Sequence, residues 1–476
     1  MTSRVNLIIF KYSPIIVIQM KIRVLFILFL VYVQPLLADI SLPNIFSNDM
    51  VIQRESEVRL FGWASPNEEF EIYTGWNDRT FMVKTGNDAK WELLVNTPEA
   101  GGPYEVRFKG NSNEIVLSNV MTGDVWLCSG QSNMEWSANS GIDNKQAEIS
   151  NANYPGIRLF TVEKRTAPEP QENAHGEWTT CSPETMMDFS AVAYFFAKRV
   201  YQETNVPIGL IDASWGASCA EVWTPEDVFE KYPELLKAHE SIKPNKWVTI
   251  EPSSLYNGMI APFVNFKIAG VLWYQGESNT ANADSYKDLF TRMITSWRNA
   301  RGYVFPFYFV QIAPFKYGRQ HEGAEVRNQQ RLALELEKTG MVVTSDICTV
   351  DDIHPQNKQD VGLRLANIAL KEYYGITDNE VHSPLYKNIE IKDREVIVRF
   401  DHNQGLYSTG KTVSHFEIAG EDDVYYPAKA RIKDEMVYLS AKQVRMPKHV
   451  RFAWENTAIP NLFNSANLPA STFKSN

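Results

Sequence analysis

Val125-Trp126-Leu127-Cys128-Ser129-Gly130-Gln131-Ser132-Asn133-Met134 is the stretch on which the reading of this chain turns. The four apolar residues at 125–128 make a short buried-strand run, after which Gly130 permits a sharp turn and Ser132 precedes polar, helix-tolerant residues. A serine at the tip of a strand-to-helix turn is presented rather than packed. Its Oγ faces solvent, and the unpaired N–H groups of the first turn, that of Ser132 among them, are placed to hold a developing oxyanion. This is how a nucleophilic serine is built; the competing reading is a Gly-Ser turn with an ordinary cap.

Far downstream, Asp351-Asp352-Ile353-His354-Pro355 precedes Gln356-Asn357-Lys358 and a periodic apolar stretch. An Asp three residues before a His can reach its Nδ1 within one turn of chain. Such a carboxylate fixes the imidazole tautomer and leaves Nε2 free to take a serine proton. The chain has 8 His in 476 residues, so one flanked by two carboxylates and a proline stands out as a candidate base.

Around these two segments the chain changes period twice. Residues 57–61, 69–73, 80–83 and 91–95 partly alternate between turn residues, which predicts an N-terminal β-sandwich-like module over 39–119. From 120 to 377 apolar runs at 125–128, 208–211, 269–273, 307–312 and 341–344 alternate with amphipathic segments, the pattern of a parallel sheet covered on both faces. Tyr286, Leu289, Phe290, Met293, Ile294 and Trp297 recur at steps of three or four, as do Val192, Phe195, Phe196 and Val200, and Val361, Leu365 and Ile368 continue the pattern after His354. Alternation returns over 378–476, predicting a C-terminal β-rich module. The fold class is therefore α/β, a three-layer α/β/α parallel sheet with β-rich modules at both ends.

The Gly-Gln-Ser-Asn-Met block and the acidic-Ile-His-Pro block resemble those of the SGNH (GDSL-like) hydrolase superfamily, specifically the sialate O-acetylesterase family. Two blocks between them, Asp212-Ala213-Ser214-Trp215-Gly216-Ala217-Ser218 and Trp273-Tyr274-Gln275-Gly276-Glu277-Ser278-Asn279, also resemble the family's and stand in its order. The resemblance implies Ser132 as nucleophile and His354 as base, with the N–H groups of Ser132 and Gly216 and the Gln275 side-chain amide as the oxyanion hole. Gln275 departs from the Asn that many SGNH enzymes carry. For the carboxylate that orients His354, Asp351 has the superfamily's spacing; Asp352, Glu277 and a simple Ser-His dyad are the alternatives. The implied substrate is an O-acetylated sialic acid, with Trp136, Trp215, Glu277 and Arg327 as candidate substrate contacts; for Arg327 the readings are a sugar carboxylate or, the favoured one, a helix-surface ion pair. Trp223 and Trp273 belong to the same aromatic set, and packing is the competing role for at least half of it.

A formal charge of −10 and a pI near 5.5, without a dense basic run, argue against a nucleic-acid partner. Lys21 and Arg23 precede an uncharged stretch ending at Leu36-Leu37-Ala38, so residues 1–38 read as a signal peptide, and the expected location is secreted or periplasmic. An uncleaved anchor is the alternative; no later segment is apolar enough to span a membrane. Four Cys without paired spacing predict buried small hydrophobes, and neither a metal nor a cofactor is expected. Three functions are consistent with this reading: a sialate O-acetylesterase, an esterase acting on acetylated polysaccharide such as xylan, and a carbohydrate-binding protein with an inactive esterase fold. Oligomeric state is not legible in the sequence.

Overall fold

A computed structural model describes residues 39–475; the leader expected over 1–38 lies outside them. At the centre is a mixed sheet whose long strand Glu114–Gly130 pairs in parallel with Ile208–Ser214 on one side and Gly270–Tyr274 on the other. Outward from these lie Tyr154–Thr161 beyond the first, and Phe307–Val310 and then Thr339–Val342 beyond the second, all parallel. Trp178–Cys181 closes one edge antiparallel, so the sheet is not the purely parallel one expected. The five predicted apolar runs all overlap strands, but Tyr154–Thr161 and Trp178–Cys181 were not foreseen.

Successive residues of a strand point to opposite faces, and this sheet buries both. Val125, Leu127, Val271, Trp273, Phe307 and Phe309 meet Leu289, Phe290, Met293 and Trp297 of helix Tyr286–Arg301 on one side. Trp126, Cys128, Leu210, Leu272 and Tyr274 meet Val192, Phe196, Val361, Leu365 and Ile368 of helices Ala191–Thr204 and Lys358–Glu372 on the other. Burying a side chain of this size contributes roughly 1.5–3 kcal/mol, which makes these two layers the main source of stability. Trp223 and Trp273 lie in the first layer with ring centroids 6.3 Å apart and have no exposed surface.

The N-terminal strands pair as Glu57–Trp63 with Lys90–Asn96, and as Arg79–Lys84, Glu69–Thr74 and Gly101–Lys109 in a sheet that reaches Glu114–Gly130. The division expected at 119/120 thus falls inside one continuous strand. Near the C-terminus, two four-stranded antiparallel sheets enclose Val396, Val398, Phe416, Val437, Val450 and Phe473. All four cysteines are free, and Cys128, Cys181 and Cys219 are buried. Among the described residues no helix is long and apolar enough to cross a membrane.

Candidate active site

Three adjacent strands deliver their following loops to one end of the sheet, the carboxyl end, where open α/β sheets place their sites. Gly130 ends the middle strand at φ +134°, and a Cβ there would lie 2.2 Å from the Tyr274 carbonyl oxygen, so only glycine fits. The same carbonyl accepts the Gln131 N–H at 2.9 Å. Ser132 then opens the one-turn helix Ser132–Glu135, partly exposed, with its N–H at a position that has no intrahelical acceptor. The Gln131 side-chain oxygen accepts from the Gly276 and Ser278 N–H groups, tying this turn to the neighbouring loop.

His354 arrives from the loop between strand Thr339–Val342 and helix Lys358–Glu372, and its Nε2 lies 2.8 Å from Ser132 Oγ. The Trp136 ring stacks on the imidazole, with centroids 4.3 Å apart and planes 16° from parallel, and its indole N–H is held by the Gly141 carbonyl. Burial, then the nearby Lys358 ammonium, hold the His354 pKa below the ordinary histidine value against the opposing fields of Asp352 and Glu135. The base is thereby kept neutral, the form able to accept a proton.

Of the candidate carboxylates, Asp351 does not reach His354. Its side chain is 73% exposed and pairs with Lys316, because the loop turns it outward. Asp352 Oδ1 accepts the His354 backbone N–H at 2.8 Å, so it shapes the loop and adds a negative field from the protein side. Among the described residues no ion pair joins the imidazole to a carboxylate. Glu277 is buried behind the nucleophile turn, where it accepts from Asn133 Nδ2 at 2.6 Å; it is a brace rather than a surface for substrate. Burial pushes its pKa up.

The Gln275 amide is not available to an oxyanion. Its Nε2 donates to Asn279 Oδ1 at 2.7 Å and to the Ser218 carbonyl at 3.2 Å, while its Oε1 accepts from the Tyr286 hydroxyl, so both amide hydrogens are committed inside the protein. Asn279 in turn accepts the Ala220 N–H and donates to Glu221. Gln275 therefore fixes the Ser218 loop that follows Gly216. Arg327 is likewise corrected: it is 1% exposed, and its guanidinium holds the Glu455 and Asn456 carbonyls and the Thr472 hydroxyl, locking the C-terminal segment rather than facing a sugar. Trp215, partly exposed, donates to the Trp247 carbonyl and lies beneath the Lys164 ammonium at 5.5 Å.

Gly216 stands beside the nucleophile: a Cβ built on it would lie 3.3 Å from Ser132 Cβ. Its N–H donates to Glu135 Oε2 at 2.6 Å, and Glu135 is also paired with Lys164 at 2.5 Å.

Sequence reasoning missed Lys358. It is 1% exposed, donates to Asn133 Oδ1, and has its pKa pushed down by burial to about 7. Asn133 also donates to the Ile353 carbonyl at 2.9 Å, so Lys358, Asn133 and Glu277 together pin the nucleophile turn to the His354 loop. A signal was present: Lys358 lies three residues before Val361 and seven before Leu365, on the buried face of its helix.

For a metal, Cys219, Glu221 and His239 place a sulfur, an oxygen and a nitrogen within 4.8 Å of one another. Both Glu221 oxygens already accept amide hydrogens from Asn279 and Asn282, with His239 Nδ1 facing Glu221 at 3.8 Å, so the carboxylate is already satisfied by protein donors.

Comparison with known proteins finds similarity to carbohydrate esterases. The family model for carbohydrate esterases of the sialic acid-specific acetylesterase type matches residues 122–371. A sialate O-acetylesterase of Rattus norvegicus is 29% identical over 439 residues, covering 78% of this chain and 80% of its own. One from Pongo abelii is 30% identical over 488 residues, covering 90% and 91%. Among solved structures, a carbohydrate acetylesterase from Xanthomonas citri is 34% identical, with a TM-score of 0.84 and coverage of 92% of this chain and 99% of its own.

Proposed function

The chain belongs to the sialic acid-specific acetylesterase family of carbohydrate esterases and is a carboxylic ester hydrolase; from that premise we propose that it removes O-acetyl groups from sialic acids through an acetyl-serine intermediate. The observation that carries the mechanism is the 2.8 Å approach of His354 Nε2 to Ser132 Oγ. Ser132 attacks the acetyl carbonyl carbon while His354 takes its proton, and the carbonyl π pair moves onto oxygen. The tetrahedral intermediate then collapses, breaking the ester C–O bond as the imidazolium returns the proton to the departing sugar alkoxide. A water deprotonated by His354 attacks the acetyl-serine by the same route and releases acetate. The N–H groups of Ser132 and Gly216 are the oxyanion donors in this reading, and loss of one such donor typically costs about 3 kcal/mol of barrier lowering. In this reading the partly exposed Trp136 and Trp215 are the aromatic residues nearest to hand for a sugar ring. The fold, on the same reading, is of the SGNH type.

An assay with 4-nitrophenyl acetate tests the chemistry: turnover that survives Ser132→Ala would remove the nucleophile and the mechanism with it. A second reading, deacetylation of a polysaccharide, is favoured by the likeness to the Xanthomonas citri carbohydrate acetylesterase. Acetate released from O-acetylated sialic acid against acetylated xylan separates the two. Faster release from xylan would replace the sialic acid assignment and leave the mechanism standing.

A further inference from the structure

Glu135 lies three residues after Ser132 on the same helical turn, which brings both side chains to one face. Its carboxylate reaches the backbone that borders the nucleophile. A Cβ on Gly216 would sit 3.2 Å from Glu135 Oε2 and 3.3 Å from Ser132 Cβ, so acid and nucleophile flank the same peptide. The Gly216 N–H is spent on Oε2 at 2.6 Å, while Oε1 holds the Lys164 ammonium. Lys164 in turn lies over the Trp215 ring at 5.5 Å.

One N–H offers one hydrogen. A tetrahedral intermediate carries a full negative charge on the oxygen that must receive it, and a carboxylate already there both blocks the donor and repels that charge. The resting contact and the oxyanion are therefore mutually exclusive. Glu135 and Lys164 are both partly exposed, with side-chain accessibilities of 35% and 42%, so the carboxylate has solvent to turn into and a cation to follow it.

We propose that Glu135 is the resting occupant of the oxyanion site, a displaceable carboxylate that the acyl oxygen of the ester must replace before Ser132 attacks. The inference rests on Gly216 serving as an oxyanion donor. It makes Glu135 a gating residue that sets how readily an acyl group enters, since affinity for anything seated in the hole is reduced by the fraction of molecules whose hole is filled.

The test uses the whole chain, 4-nitrophenyl acetate as substrate and methylboronic acid as a probe that forms a tetrahedral anion on serine. Glu135→Ala opens the hole; Glu135→Gln leaves a neutral acceptor that competes less well. We expect the boronate inhibition constant to fall and kcat/KM to rise by about tenfold in Glu135→Ala, the size of one charge-assisted hydrogen bond discounted for exposure, with Glu135→Gln between it and the wild type. A carboxylate that merely holds the Gly216 loop in place gives the opposite sign, weaker boronate binding and slower turnover, and that result, or no change in either constant, overturns the proposal. Failure of the esterase reading looks different: the wild type itself neither turns over the acetate nor binds the boronate.

Discussion

His354 Nε2 stands 2.8 Å from Ser132 Oγ across 222 residues of chain, and their sequence neighbours tie the two segments together. The approach is held by Asn133, whose amide bridges the Ile353 carbonyl, Glu277 and Lys358 directly behind the pair. Ser132 itself contributes little to this packing. Ser132→Ala is expected to lower kcat by a factor on the order of ten thousand or more while shifting the unfolding temperature by no more than a degree or two. Calorimetry beside a 4-nitrophenyl acetate assay reads both, and a large thermal shift would show that the hydroxyl has a structural role.

The two adjacent acids should separate cleanly. Asp351 forms only a surface pair with Lys316, so Asp351→Asn should leave kcat/KM within about twofold. Asp352→Ala removes both the acceptor for the His354 N–H and the charge that supports the imidazolium, and a loss on the order of ten- to a hundredfold is expected. If Asp351→Asn proves the more damaging, the outward orientation of its side chain is not the one used in catalysis.

The difference between what was and was not legible is physical. Strands such as Gly270–Tyr274 are buried on both faces and read as continuous apolar runs, so composition alone finds them. Tyr154–Thr161 was missed because Pro155, Gly156 and Arg158 interrupt the run; Arg158 is nevertheless buried, its charge met by Asp49 and its guanidinium by Pro155 and Thr180. At the site, Ser132 and His354 are set by the turn and the loop that carry them, and their neighbours in sequence report on both. Gln275 and Arg327 are long polar side chains whose directions are decided by Tyr286 and Asn279, or by Glu455, Asn456 and Thr472. The Arg327 partners lie more than a hundred residues away and leave no local trace, and although Asn279 is only four residues from Gln275, spacing alone does not show that its amide oxygen takes the Gln275 hydrogen.

Lys358 gives a prediction with a definite sign. Its charge is among the causes that hold the His354 pKa down, because a nearby cation disfavours the imidazolium. Lys358→Met removes that cation and lets the pKa rise. Since only neutral His354 accepts the serine proton, the acid limb of kcat/KM should move to higher pH and activity be lost in the mildly acidic range. A pH profile on 4-nitrophenyl acetate measures this directly. General damage to the network would lower the plateau without moving the limb, which would deny Lys358 an electrostatic role.

Asp212 links the same end of the sheet to stability. Burial pushes its carboxyl up to about 7, with the Ser214 hydroxyl hydrogen bond opposing. An Asp in the unfolded chain titrates near 3.9, so between roughly pH 4 and 7 the folded state holds a proton that the unfolded state has released. Stability therefore falls as pH rises through this window, and the loss is complete above the folded-state pKa. Asp212→Asn keeps the side-chain oxygen that accepts from Ser214 but has no charge to bury. The variant should gain on the order of a few kcal/mol relative to wild type between pH 4 and pH 8, with the two chains closest at the acid end. Denaturant melts at both pH values test this, and a stability difference that does not change with pH would mean that Asp212 ionises in the folded protein as it does in the unfolded chain.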